Sequence, residues 1–374
     1  MRLVFLSHDG NLGGGAQQCL IDLLKGLRQT FPEIQLYVIF PYKGSLVNSC
    51  SMYIDGYKII HMSWWLLPNN AQVNLKKKFE FLNDTRKSVG EIMRYLAFIK
   101  PNYGITNTIV IPCLATACKL LGIKHIWFIH EIPTMTWSNN RFIFQDRNIY
   151  RWINLFSYKV FVTSCYSESY YRHVISTKKI KIVDQAVELV STSKVDSLSH
   201  SRYTLLLIGS FDSNKGQMEL LHAINRIVSG GKDVFCYLIG ADLGYMAKCR
   251  DYVMLHKLEE NVLILPFTAD VCQYYYLSDV LVNCSTLETF GRTTVEAQKC
   301  GLPVILSNVG ANSERVLDKV NGLLYEKGDI LDLVNKIELL RDKQTRKSFV
   351  DKLSLLGLNK YSSKEFAFCF MNAL

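Results

Sequence analysis

A chain of 374 residues is too long for one ordinary hydrophobic core and suits two domains of about 150–200 residues each. Apolar residues make up 49% of it, with no low-complexity run and no internal repeat, which excludes extended disorder and repeat architectures. The net charge of +10 is lopsided: residues 1–186 hold 22 Lys+Arg against 11 Asp+Glu, and residues 187–374 hold 21 against 22, so only the first half calls for a negative partner.

The chain opens on LVFLS (3–7), which reads as a strand. No succession of basic, apolar and cleavage-site regions precedes it, so no signal peptide is expected. No apolar run approaches the ~18 residues of a membrane span. The cysteines, from Cys19 to Cys369, show neither CxxC spacing nor a Cys/His cluster. Reduced thiols are therefore expected, rather than a disulfide framework or a zinc site.

HDGNLGGGAQQ (8–18) follows the first strand and leads into AQQCLIDLLKGLRQ (16–29), which has helical spacing. Gly13, Gly14 and Gly15 are expected to let the backbone turn tightly, and the helix start behind them offers N–H groups to an anion. The spacing is not GxGxxG, so a dinucleotide fingerprint is not read here. Glycines in such turns also serve packing alone.

QLYVIF (35–40), YKIIHM (57–62), HIWFIH (125–130) and KVFVTS (159–164) read as further strands. Asn107 and Thr108, in GITNTIV, follow another and are placed in the cleft at its end. LKKKFEFLNDTRKSVGEIMRYLAFIK (75–100) and WSNNRFIFQDRNIYRWINLFSYK (137–159) interleave basic and aromatic side chains. Either these segments touch anionic lipid headgroups, or they are ordinary helices whose apolar stripes face the core.

LVSTSKVDSLSHSR (189–202) is polar and serine-rich, and the domain break is placed near residues 186–202. TLLLIGS (204–210), VFCYLIG (234–240), NVLILPF (261–267), DVLVNCS (279–285) and PVILSN (303–308) repeat the strand pattern. Continuous Val/Ile/Leu runs alternating with helices imply parallel strands covered on both faces. Two such sets imply two doubly wound α/β domains, with ligands beyond the carboxyl ends of the strands.

GSFDSNKGQMELLHAI (209–224) is a strand-to-helix turn in which Lys215 can hold a phosphate or remain a solvated surface lysine. After DVLVNCS comes TLETFGRTTVEAQKC (286–300), with Glu288 in the turn and Glu296 within the next helix. Phe290 and Gly291 are expected to bring N–H groups to that helix start. The layout suits a ligand with hydroxyls for the carboxylates and an anion for the amides. A helix-capping acid followed by a solvated glutamate has the same spacing.

The run ETFGRTTVEAQKCGLPVILSNVGANSE resembles the E-x7-E signature of retaining family 4 glycosyltransferases. GSFDSNKG, NGLLYEKGD (321–329), the His-Glu pair at 130–131 and the glycines after the first strand fit as well. The resemblance implies the GT-B fold, two Rossmann-like domains facing a central cleft. It assigns 1–186 to acceptor binding and 187–374 to the nucleotide sugar, with the C-terminal helix crossing back to the first domain. It implies that Glu296 binds the ribose, that Glu288 meets hydroxyls of the transferred sugar, and that Lys215 neutralises the diphosphate. Phe290 and Gly291 would supply backbone donors there. His130 would hydrogen-bond the sugar or acceptor, and Gly14 and Gly15 would face the donor. Where the family usually has an arginine this chain has Ser210, and Arg292 is the candidate replacement.

The implied reaction transfers a sugar from a nucleotide diphosphate sugar to a glycan or lipid-linked acceptor in surface polysaccharide assembly. It would retain configuration and need no metal or other cofactor. The expected location is cytoplasmic, peripheral at an anionic membrane face, with no nucleic-acid partner. A sugar-nucleotide epimerase or hydrolase of the same fold, or a catalytically silent nucleotide-sugar-binding protein, remain as alternatives.

Overall fold

The computed structural model describes residues 1–133, 140–189, 202–268 and 270–374. They form two compact units, Met1–Val187 together with Lys360–Leu374, and Glu188–Asn359. Of the serine-rich stretch at the expected break, residues 190–201 lie outside the described residues, as do residues 137–139 of the second basic segment.

The first unit contains, in chain order, β1 (Arg2–Leu6), β2 (Gln35–Phe40), β3 (Gly56–Ile59), β4 (Leu66–Pro68), β5 (Tyr103–Thr106), β6 (Lys124–Phe128), β7 (Asn140–Phe142), β8 (Lys159–Val162) and β9 (Ile180–Ile182). Seven of these form one parallel sheet in the order β3-β2-β1-β5-β6-β8-β9, while β4 and β7 pair antiparallel. Leu3, Phe5, Leu36 and Val38 are fully buried on inner strands, as a sheet covered on both faces requires. Helices Gly15–Thr30 and Ser363–Ala373 pack together on one face, and Phe370 reaches Phe5 and Phe161 there. A Cβ at Gly26 would stand 2.0 Å from the Ser363 carbonyl oxygen, so glycine is what lets the C-terminal helix dock. Ser362 starts that helix by accepting from the Glu365 N–H, an S-x-x-E start.

The second unit contains β10 (Thr204–Ile208), β11 (Phe235–Gly240), β12 (Val262–Pro266), β13 (Val280–Asn283), β14 (Val304–Ser307) and β15 (Leu323–Tyr325). They form a wholly parallel sheet in the order β12-β11-β10-β13-β14-β15. The first strand of the unit therefore neighbours both its second and its fourth, and the chain reverses direction across the sheet between β10 and β13. Ligands of such sheets lie at this switch point, beyond the carboxyl ends of the two strands.

The glycine-rich turn differs from the expectation. Gly13, Gly14 and Gly15 are exposed, none has positive φ, and a Cβ at Gly13 would meet nothing within 4 Å. The tight place is Gly10, whose Cβ would stand 2.3 Å from the Tyr42 carbonyl oxygen. Strand β6 also ends two residues before His130, which stands in the following loop.

Candidate functional site

The loops that leave β10 and β13 are pressed against each other. After β10 the backbone passes Gly209 and Ser210 into a short turn, Ser213–Lys215, where the Asp212 side chain accepts from the Asn214 N–H at 3.0 Å. Gly216 then takes a left-handed conformation (φ +70°) and starts the helix Gln217–Ser229. A Cβ on Gly216 would lie 2.0 Å from the carbonyl oxygen of Cys284, just past β13. Beside this contact the Thr286 N–H donates to the Asn214 carbonyl at 2.8 Å.

This contact places Lys215 against Glu288. Lys215 Nζ lies 2.7 Å from Glu288 Oε1, which also accepts from Ser285 Oγ at 2.7 Å and from Asn283 Nδ2 at 3.5 Å. Burial pushes the Glu288 carboxyl up, but the Lys215 charge and these donors outweigh it and hold the group below the usual carboxylate range. Its backbone is fixed too: the Glu288 carbonyl accepts from the Ala311 N–H at 2.8 Å, against the left-handed Gly310 (φ +57°). A lysine carries three N–H donors. With one on Glu288, the ammonium group is aimed by that carboxylate and can still donate to an anion.

Gly291 takes φ +83° at the N-terminus of the helix Arg292–Lys299. Phe290 beneath it is buried, with its carbonyl accepting from Arg315 Nε at 2.6 Å and its ring covered by the Arg315 guanidinium at 4.3 Å. Phe290 thus anchors the turn, while Gly291 lets it bend into the helix. Glu296 lies in the second turn of that helix and is half-buried. The buried Tyr275 donates its hydroxyl to Glu296 Oε2 at 2.7 Å. Burial and the adjacent carboxylate push that phenol well above its ordinary pKa, so it stays a donor. Ser210 lends its carbonyl to Gln217 Nε2 at 2.8 Å. Arg292 is the first residue of its helix, on the loop after β13, whereas Ser210 is on the loop after β10.

His130, Asn107, Gly14 and Gly15 belong to the first unit. There a buried chain of hydrogen bonds crosses the ends of β1, β5, β6 and β9. Asn107 Nδ2 donates to the Ala16 carbonyl at 2.8 Å, one residue past Gly15. A carbonyl only accepts, so the amide oxygen of Asn107 faces His130 Nε2, also at 2.8 Å. Nε2 is therefore the protonated nitrogen, and Nδ1 accepts from Gln185 Nε2 at 2.9 Å. A ligand reaching this ring must displace Asn107 or Gln185. Next to it, burial pushes the Glu131 carboxyl up to about 7 although backbone N–H groups of residues 130, 131 and 109 lower it. The Tyr171 hydroxyl donates to the Glu131 carbonyl at 2.5 Å. Thr108 turns inward, and its Oγ1 accepts from the Val110 N–H at 3.2 Å.

Sequence reasoning singled out Lys215, Glu288, Phe290, Gly291 and Glu296, and the structure gathers them on the two switch-point loops and the helix that follows. It missed Tyr275, Asn283, Ser285, Arg315 and Gln185. Only Asn283 and Ser285 carried a signal, as polar residues at the carboxyl end of an apolar strand.

Two parallel doubly wound units of this order constitute the GT-B fold. A solved structure with the same architecture is HepE of Anabaena in complex with UDP and glucose, at TM-score 0.79 and 21% identity over 100% of this chain and 98% of that one. Residues 192–353 match the family model of the glycosyl transferases group 1. The capsular polysaccharide biosynthesis glycosyltransferase CapM of Staphylococcus aureus is 29% identical over 173 residues, 46% of this chain and 45% of CapM. The UDP-Gal:alpha-D-GlcNAc-diphosphoundecaprenol alpha-1,3-galactosyltransferase of Escherichia coli is 23% identical over 221 residues, 52% of this chain and 55% of that protein. The chain thus spans about half the length of these curated relatives.

Proposed function

We propose that the chain is a retaining glycosyltransferase. It moves a hexosyl group from a nucleoside diphosphate sugar to a glycan or lipid-linked acceptor in surface polysaccharide assembly. The observation that carries this reading is the Lys215–Glu288 pair at the switch point of the second sheet, with Glu296 held by Tyr275 on the adjoining helix. A ribose diol suits Glu296, sugar hydroxyls suit Glu288, and a diphosphate suits Lys215 and the helix-start amides.

In the reaction, the bond between the anomeric carbon and the diphosphate oxygen breaks with its electron pair on that oxygen. Lys215 meets this developing charge, and its contact with Glu288 fixes it in place beforehand. The acceptor hydroxyl then bonds to the anomeric carbon on the same face, and its proton passes to the leaving diphosphate. His130, whose two ring nitrogens are engaged by Asn107 and Gln185, is not assigned as a base and meets a hydroxyl only by exchanging one of these partners for it. No metal is assigned, since Lys215 and backbone amides supply the positive charge. The names of CapM and the galactosyltransferase support the polysaccharide setting and the lipid-linked acceptor. The UDP bound by HepE makes a uridine diphosphate sugar the first donor to try.

The test is product formation from a panel of nucleotide sugars with and without glycan and polyprenyl-diphosphate sugar acceptors, with the anomeric configuration of the product read by NMR. Acceptor-dependent transfer with the donor's configuration kept supports the proposal. Inverted product, conversion of donor without acceptor, or binding without turnover across the acceptors overturns it.

A further inference from the structure

The helix Leu75–Ile99 turns Phe81, Val89, Ile92, Leu96 and Ile99 into the first unit. Away from that buried side its first turns expose large apolar side chains: Leu75 is 84% exposed, Phe79 73% and Leu82 45%. Spacings of four and three set these three on one stripe. Single exposed apolar residues are ordinary, but a leucine–phenylalanine–leucine stripe is a surface awaiting a partner. The stripe runs into Arg86 four residues on, and Lys76 and Lys78 flank it on either side. Over its length the helix carries six basic and three acidic side chains.

The neighbouring elements continue this character. Helix Cys113–Leu121 packs against Leu75–Ile99, and Asp146–Phe156 packs against Cys113–Leu121 in turn. That last helix exposes Arg147, Arg151 and Leu155 at four-residue spacing.

We propose that this face of the first unit docks on an anionic lipid bilayer. Leu75, Phe79 and Leu82 enter the headgroup boundary, and the surrounding lysines and arginines meet lipid phosphates. Charge selects this occupant. A second copy of the chain would set one basic surface against another. A nucleic acid would satisfy the cations but give the apolar stripe nothing to enter. The inference concerns a surface and does not depend on the transfer reaction.

The experiment is co-sedimentation of the full chain, without sugar ligands, with vesicles of phosphatidylcholine alone or mixed with phosphatidylglycerol. Binding is expected only to the anionic vesicles, and it should weaken with added salt. Phe79→Ser with Leu75→Ser should abolish most of it. Lys76→Glu and Arg86→Glu should each lower partitioning by about fivefold or more. Lys343→Glu and Lys347→Glu, on the second unit, should leave it unchanged, and thermal melts of all variants should match the parent because every altered side chain lies at the surface. Equal binding by parent and Phe79→Ser/Leu75→Ser protein overturns the proposal. So does absence of binding to anionic vesicles, or a concentration-dependent dimer that Phe79→Ser alone dissolves.

Discussion

Lys215 and Glu288 stand 73 positions apart in the chain, yet their charged atoms lie 2.7 Å apart where β10 and β13 run side by side. The pair orients the ammonium group and fixes the state of the carboxylate. In the native protein the Glu288 pKa is depressed, so it adds stability above the unfolded value of 4.5 that is lost as pH falls through the folded one. Without Lys215, burial is left as the dominant influence and the folded pKa rises. Lys215→Met should therefore destabilise the ligand-free protein more at pH 7 than at pH 4, by about 1–2 kcal/mol at pH 7. Adding Glu288→Gln should recover part of that loss. Denaturant titrations at both pH values provide the check, and equal losses would deny the coupling.

The two left-handed glycines of the site should respond differently to alanine. At Gly291 a Cβ has room, with the nearest atom 3.5 Å away, so Gly291→Ala meets backbone strain alone, about 1–2 kcal/mol. At Gly216 the Cβ would also meet the Cys284 carbonyl oxygen at 2.0 Å, which forces the two switch-point loops apart. Gly216→Ala should thus cost more stability and weaken nucleotide binding further than Gly291→Ala. The reverse order in melting temperature and affinity would contradict the loop contact.

Tyr275 should act on the ligand only through Glu296. Tyr275→Phe is expected to weaken nucleotide binding by about three- to tenfold, less than loss of a direct charged hydrogen bond. In a Glu296→Gln background the same substitution should change affinity little. A 2′,3′-dideoxy nucleotide should also be insensitive to it. Titration calorimetry with both nucleotides would show whether the phenol instead supports the helix in general, in which case all penalties would be equal.

Much of this architecture is legible in the amino-acid order. Strands of a sheet covered on both faces must be apolar throughout, so they appear as runs such as TLLLI and VLVN, and the polar residues just past them stand out. Lys215, Glu288 and Glu296 were found this way. Their mutual contacts were not legible, because strand order decides which loops meet and no local pattern records that order. Tyr275 sits in an aromatic run, YYY, that reads as core, and Gln185 lies in a short segment without periodicity. The pairing of β4 with β7 escaped because each has only three residues and one ends in proline. Gly13, Gly14 and Gly15 drew attention by number, whereas the tight approach belongs to the single Gly10 nearby.

Glu131 gives a test within the first unit. Its carboxyl rises from 4.5 to about 7 on folding, so the native protein takes up a proton and loses stability as pH increases across that interval. Glu131→Gln keeps an acceptor for the surrounding N–H groups and removes the titration. It should be more stable relative to the parent at pH 8 than at pH 5, and its stability should depend less on pH between them. A parallel pair of stability–pH curves would mean that Glu131 does not titrate in this range.

The most direct measurement of the central claim is calorimetric titration of the parent protein, Lys215→Ala and Glu296→Ala with the nucleotide sugar that raises the parent's melting temperature most. Loss of a charged hydrogen bond to the ribose should cost Glu296→Ala about 1.5–3 kcal/mol of binding, with Lys215→Ala weakened for the sugar but far less for the free nucleoside. Parent-like affinity in both variants would contradict a nucleotide-sugar site at the junction of β10 and β13.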